Sequence, residues 1–387
     1  MYRPASRTRD IAPFHVMELL SRAKALEAQG RDIIHMEVGE PDFPTPEPIL
    51  RAAQAAIAEG KVFYTPALGL PELRQAISDF YRHRHGVAVP ASRIVITAGA
   101  SGALTLAMAC LAEPGRRWLL ADPGYPCNRH FVRSFEGVPV SVPVGAETNF
   151  QPTPAQLENF WDSATDGLLV ASPANPTGTM LSVPELAALA DFARQRRGHF
   201  IVDEIYQGLT YDGDVPTALA VADDLWVVQS FSKYFQMTGW RLGWLVVPEP
   251  YVRDVEKLAQ NLFISPSTPA QYAALAAFGP ETLEILESRR AEFQRRRDFL
   301  APALESLGFR VTARPQGAFY LYCDSSGIAG DSFSLASRML EEAGVAATPG
   351  LDFGANAPER HIRFAYTTGM DRLGEAMARL GRLFGGR

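Results

Sequence analysis

The feature that most restricts this chain is a run of seven short apolar segments between Ile94 and Val247: RIVIT, RWLLAD, VPVSV, GLLVAS, HFIVDE, LWVVQS and GWLVV. Helical patterns separate several of them, ALTLAMACLA, NRHFVRSF and VPELAALADFARQRRG, the last with leucine and alanine at i, i+3, i+4 spacing. Strands that are apolar on both faces and alternate with helices predict an α/β fold, with a mostly parallel seven-stranded sheet flanked by helices. Beyond it the rhythm changes to a helix over 281–307, short strands in FRVTA and GAFYLYC, a helix over 332–343, a strand in HIRFAY and a helix over 371–384. That order describes a smaller α+β unit. The amphipathic stretch MELLSRAKALEAQG and the Pro-broken EVGEPDFPTPEP near the N-terminus are expected to pack against this second unit. The chain therefore reads as a large domain over 48–285 and a small domain formed by both chain ends, 1–47 and 286–387.

With 387 residues, 47% of them hydrophobic, a sizeable core is available. The net charge of -6 and the lack of a long basic block predict no nucleic-acid partner. The densest basic run, Arg295-Arg296-Arg297, lies in SRRAEFQRRRDFL, whose helical spacing reads as a solvated helix face. Three widely spaced cysteines, Cys110, Cys127 and Cys323, fit neither a disulfide framework nor a CxxC pair, so no metal site is expected and a reducing cytoplasm is. The segment MYRPASRTRD has no apolar core of the kind a secretory leader needs. The longest apolar run, Ala103 to Ala112, is about half a membrane span and reads as a buried helix, so no membrane association is expected.

In doubly wound sheets ligands bind beyond the carboxyl ends of the strands, and the polar residues of interest fall there. GLLVAS runs into PANPTG with Asn175, HFIVDE ends in Asp203 with Tyr206 just after it, and LWVVQS runs into Ser230, Ser232 and Lys233. RIVIT runs into TAGASGAL, which is not the GxGxxG of dinucleotide sites but is a small-residue turn opening a helix, a place for a phosphate. Pyridoxal phosphate (PLP) chemistry needs this combination. A lysine forms an imine with the cofactor aldehyde and later serves as general base. An acid keeps the pyridine nitrogen protonated, so that the ring is an electron sink. An arginine fork clamps a substrate carboxylate.

On these residues the sequence resembles the fold-type I PLP enzymes of the class I/II aminotransferase family, along nearly the whole chain. SFSKYFQMTGWRLGW is similar to the family's lysine signature, which implies a Schiff base on Lys233 and phosphate contacts from Ser230, Ser232 and Arg241. VDEIYQGLTY implies Asp203 at the pyridine nitrogen and Tyr206 at the ring oxygen, where ASPANPTG also brings Asn175. TAGASGAL resembles the phosphate loop, with Gly99 in the turn and donors from Ala100 and Ser101, and Tyr125 in DPGYP matches the residue stacked on the ring. Tyr64, in FYTPALG, matches a tyrosine that crosses a dimer interface, which implies a homodimer. Arg363 in HIRFAYTTG and Gly39 in EVGEPDF match residues at the substrate carboxylate, with Asn175 beside them. A strand arginine such as Arg363 would otherwise be read as outward-facing.

The resemblance implies that an amino acid binds Arg363, displaces Lys233 and loses its α-proton to it, leaving a 2-oxo acid and pyridoxamine phosphate; a second oxo acid reverses the sequence. A β-lyase of the same fold would use the same residues and differ only after proton loss. Ser101 stands where aspartate-favouring bacterial relatives carry a basic residue, and IAPFHVMELL can bring apolar side chains to the substrate entrance. The first counts against a dicarboxylate specialist; the second suits alanine-like, branched or aromatic donors, with a helix packed on the small domain as the other reading of that segment.

Overall fold

A computed structural model describes residues 3–13, 15–213 and 217–385. In chain order the strands are β1 (Ile34–His35), β2 (Ile94–Thr97), β3 (Arg117–Asp122), β4 (Val138–Pro143), β5 (Thr165–Ala171), β6 (His199–Asp203), β7 (Trp226–Ser230), β8 (Gly243–Val246), β9 (Arg310–Val311), β10 (Tyr320–Asp324), β11 (Val345–Ala346), β12 (Thr348–Pro349) and β13 (His361–Ala365). The seven apolar segments form one seven-stranded sheet in the order β2-β8-β7-β6-β5-β3-β4, parallel except for β8, which is antiparallel to both its neighbours.

Successive residues of a strand point to opposite faces, and here both faces are covered. Leu168, Val170, Val202 and Val227 belong to one buried apolar cluster, while Leu169, Ile201, Trp226 and Val228, which alternate with them, belong to another. This is why these segments are apolar throughout. Helix α2 (Gly99–Leu111; α1 is His15–Glu27) seals the second face with Ala103, Leu104, Ala107, Met108 and Leu111. Its N-terminus can sit directly on β8 because Gly243 has no side chain: a Cβ there would come within 2.8 Å of the Gly99 carbonyl carbon.

Beyond the large sheet, β12-β13-β10-β9 make an antiparallel four-stranded sheet and β1 pairs in parallel with β11. The β1–β11 pair ties the N-terminal segment to the C-terminal elements. On it α1 packs Leu19, Ala23 and Leu26 against Ile33, Leu340 and Ala346. Helix α3 (Pro280–Ser306) lies close to the predicted span. Helices Glu47–Ala58, Pro71–His85, Val252–Leu262 and Thr268–Leu275 lie outside the patterns read from the sequence. Among the described residues no helix is long and apolar enough to cross a membrane.

The basic run on α3 departs from expectation. Arg295 faces solvent, but Arg296 and Arg297 are buried. Arg297 spreads its fork over both oxygens of Asp212, at 2.6 and 3.0 Å, and donates to the Pro315 carbonyl at 2.9 Å. Arg296 donates to Asp42 at 2.8 Å and lies over the rings of Phe43 and Phe293, so it holds the EPDF segment in place. Helical periodicity placed these residues on α3 but could not show that distant segments would cover them. Replacing Arg297 with Ala should destabilise the protein by about 2–3 kcal/mol through lost charged hydrogen bonds and packing. Arg295→Ala should stay within about 0.5 kcal/mol. Chemical denaturation of the two variants checks the contrast.

Candidate active site

At the carboxyl ends of β5, β6 and β7 lies a cavity of about 280 Å³, roofed by α1 and the four-stranded sheet. At the end of β7, Ser230 Oγ accepts the Ser232 N–H at 3.0 Å, while the Phe231 N–H donates to the Leu242 carbonyl at 3.0 Å and Phe231 is buried. This hooked turn brings Lys233 to the cavity, where its Nζ donates to the Gly39 carbonyl at 2.7 Å and lies 5.9 and 5.7 Å from the ring centres of Tyr206 and Phe319. Burial pulls the lysine pKa down to about 8; Arg363 and Arg241 push the same way, against Glu40 and Asp203.

At the end of β6, buried Asp203 accepts the Ile205 N–H at 3.0 Å. Burial pushes its carboxyl up to about 6, while that hydrogen bond and Lys233 work in the opposite direction. Tyr206 meets Tyr320 hydroxyl to hydroxyl at 2.9 Å, and burial holds its phenol well above the ordinary value. Tyr125, at the start of the helix Pro126–Ser134 after β3, also lines the cavity, its phenol pushed up by burial and by neighbouring Cys127.

Helix α2 opens on the same cavity. Its first intrahelical bond is from Gly102 to Ala98, which leaves the N–H groups of Gly99, Ala100 and Ser101 without partners inside the helix. Gly99 has φ +69°, and a Cβ on it would come within 2.8 Å of an Arg241 guanidinium nitrogen. Ala100, Ser101, Ser230, Ser232 and Arg241 thus line one end of the cavity.

At the other end Arg363 is buried rather than outward-facing. It donates to Asn175 Oδ1 at 2.8 Å, to the Glu37 carbonyl at 2.5 Å and to Thr348 Oγ1 at 3.2 Å. Its Nε has no hydrogen-bond partner among the described residues. The guanidinium lies 4.2 Å from the centre of the Tyr320 ring and 4.8 Å from that of Phe353. Tyr320 also explains Gly39, where a Cβ would fall 1.8 Å from the Tyr320 hydroxyl.

The cavity therefore gathers every residue singled out from the sequence except Gly99, which stands at its edge in the α2 turn, and Tyr64, which is 80% exposed and absent from the lining. Tyr320, Phe353, Thr348 and Asp352 line it as well and were missed. Tyr320 carried a faint signal, a phenol inside the buried strand GAFYLYC, where a hydroxyl needs a partner. The apolar entrance expected from IAPFHVMELL is present as Val16, Met17 and Leu20 on α1; Phe14 lies outside the described residues.

Asp203 yields a pH signature. Its folded-state pKa lies above the ordinary 3.8, so the folded chain keeps a proton that the unfolded chain has lost, and this group makes stability fall as pH rises from about 4 to about 6. Asp203→Asn should remove that slope and raise the stability of the cofactor-free protein at pH 7 by up to about 3 kcal/mol. Thermal unfolding between pH 4 and 7 tests this, and a less stable variant at pH 7 would contradict it.

Residues 31–380 match the family Aminotransferase class I and II. A valine–pyruvate aminotransferase of Mycobacterium tuberculosis is 38% identical over 96% of this chain and 96% of its own length. An aspartate/prephenate aminotransferase of Thermus thermophilus is 35% identical over 98% of each chain. A crystal structure of an aminotransferase from M. tuberculosis, 37% identical, superimposes with a TM-score of 0.97 over 100% of both chains. These relatives bear aminotransferase names, which favours transamination over the β-lyase of the same fold. Matched from residue 31 to 380 and similar to such enzymes from end to end, the chain belongs to the class I and II aminotransferase family, with its fold-type I architecture.

Proposed function

We propose that this aminotransferase uses PLP to exchange an amino group between an apolar L-amino acid and a 2-oxo acid, as a cytoplasmic homodimer. The observation that carries the reading is the convergence of the Lys233 amine, the Asp203 carboxyl and the Arg363 fork on one cavity. The donor set fits PLP: the α2 N-terminus with Ser230, Ser232 and Arg241 suits a phosphate dianion, and Asp203, an acid that burial disfavours when charged, gains a cation to face in the pyridinium. When bound, PLP supplies a carbonyl that takes up the amino group and a ring that withdraws electrons from the substrate α-carbon.

The chain's own residues do the rest. Lys233 Nζ would hold the cofactor covalently and, once the incoming substrate amine has released it, its free amine, with a pKa lowered to about 8, could take the α-proton near neutral pH and deliver it to the cofactor carbon. Tyr206 and Asn175 are assigned to the ring oxygen and Tyr125 to the ring face. Arg363 receives the substrate carboxylate, with the approach kept open by Gly39, and its unpartnered Nε leaves a donor to spare. The roof of α1 and the Tyr320 and Phe353 rings exclude water from the reacting carbon.

Apolar donors are favoured by Val16, Met17, Leu20 and Leu104 in the lining. Among the described lining residues the basic ones are Lys233, Arg241 and Arg363, each already committed, so none is left for a second substrate carboxylate. A named valine–pyruvate aminotransferase among the relatives accords with this. The cytoplasmic setting accords with three free cysteines. The dimer is supported by a cluster of exposed large side chains, Val62, Phe63 and Tyr64 at 56, 81 and 80%, the kind of patch that marks an interface. Tyr64, outside its own cavity, is then free to reach the neighbour's phosphate.

The test is the visible spectrum of the PLP-loaded protein as single amino acids are added. Valine, leucine or alanine should convert the cofactor band and a 2-oxo acid should restore it; a response to aspartate and glutamate alone would overturn the apolar assignment. Lys233→Ala should lose covalent PLP and cut turnover by about 10²–10⁴-fold, and wild-type turnover by that variant would remove Lys233 from its role. Light scattering should give twice the chain mass of 42.3 kDa. A fully active monomer would refute the shared site.

A further inference from the structure

We propose that Asp352 is a positioning residue that sets substrate choice, its carboxylate capping α1 and so holding the apolar wall of the cavity against the Arg363 end. The inference rests on the apolar-donor reading above. Helix α1 begins at His15, and Asp352 Oδ1 accepts the His15 N–H at 2.9 Å while Oδ2 accepts the Val16 N–H at 2.8 Å. One carboxylate thus satisfies two of the N–H groups that a helix start cannot pair internally, and its charge faces the positive end of the helix dipole. The cap comes from more than 330 residues away in sequence, so it ties the start of α1 to the C-terminal part of the fold at the cavity itself.

Asp352 is 3% exposed, and its own carbonyl accepts from Arg129 at 3.1 Å, which anchors it to the segment beyond β3. The adjacent residue, Phe353, lies against the Arg363 guanidinium at 4.8 Å. A substrate carboxylate on Arg363 and an apolar side chain on α1 are therefore referenced to one two-residue step of backbone. The helix needs that reference, because its apolar support is a small cluster of six buried residues separate from the main core. Its cavity-facing residues, Val16, Met17 and Leu20, occupy the first two turns, where capping acts most strongly.

The experiment compares valine or leucine with alanine as donor in the PLP-loaded wild type, Asp352→Asn and Asp352→Ala. Asp352→Ala should raise KM for the larger donors by roughly 10-fold, the scale of a lost helix cap, with kcat within about twofold and alanine much less affected. Asp352→Asn, which keeps one acceptor oxygen for the two N–H groups, should fall between. Hydrogen exchange over residues 15–20 should quicken in Asp352→Ala while exchange in β10 and β13 is unchanged. An unchanged ratio of large to small donors, or an equal fall for all donors, overturns the proposal. If Asp352→Ala does not fold, Asp352→Asn carries the same comparison. Wild-type protein that prefers acidic donors refutes the apolar reading by itself, and the ratio of preferred donor to alanine then still judges the cap.

Discussion

A sheet sealed on both faces leaves only its ends for polar chemistry, and the rest of this structure follows from that constraint. Alternate residues of β5, β6 and β7 enter two different apolar clusters, so a charged side chain anywhere along these strands would be stranded without water. Polar residues therefore appear where the strands stop: Asp203 is the last residue of β6 and Ser230 the last of β7. Because β3 and β5 are neighbours while the chain leaves β3 for β4 at the sheet edge, the connections part at this point and open the crevice into which Tyr125 and Asn175 project.

A second constraint closes the crevice from the other side. A buried guanidinium must find acceptors, and Arg363 takes them from Glu37 before the EPDF segment, from Asn175 beyond β5 and from Thr348 on β12. Three separate stretches of chain are thereby drawn to one charge. Tyr320 and Phe353 pack against its faces, and Tyr320 in turn excludes any side chain at residue 39. The contacts that fix the Arg363 guanidinium and those that hold the fold around it are thus the same set.

The ionisable groups inside are held away from their ordinary states. Burial moves Asp203 up toward 6 and Lys233 down toward 8, so the acid is easier to protonate and the amine easier to deprotonate than in water. Each shift opposes folding in the charged form. An isolated fold would be more stable without either group, and their convergence on one cavity accords with a site shaped for chemistry rather than for stability.

Much of this was legible in the chain. The seven apolar segments name the seven strands, because double-sided burial leaves a local signature. Lys233, Asp203, Asn175 and Arg241 could be singled out because strand ends are visible in sequence and the surrounding motifs resemble those of a known family. Other features depended on the tertiary structure. Helical spacing put Arg296 and Arg297 on α3 as solvated residues, yet Asp42, Phe43 and Asp212 come from elsewhere to cover them. Alternation alone would turn Arg363 outward, against the role its motif implies, and it is buried; Tyr320, not singled out within its strand, packs against it, and Asp352 caps a helix at the far end of the chain. Periodicity along a chain reports which face of an element is apolar, so it determined the sheet and its strand ends; which distant segment arrives to satisfy a particular charge or hydroxyl is a property of packing, and only the folded structure decided it.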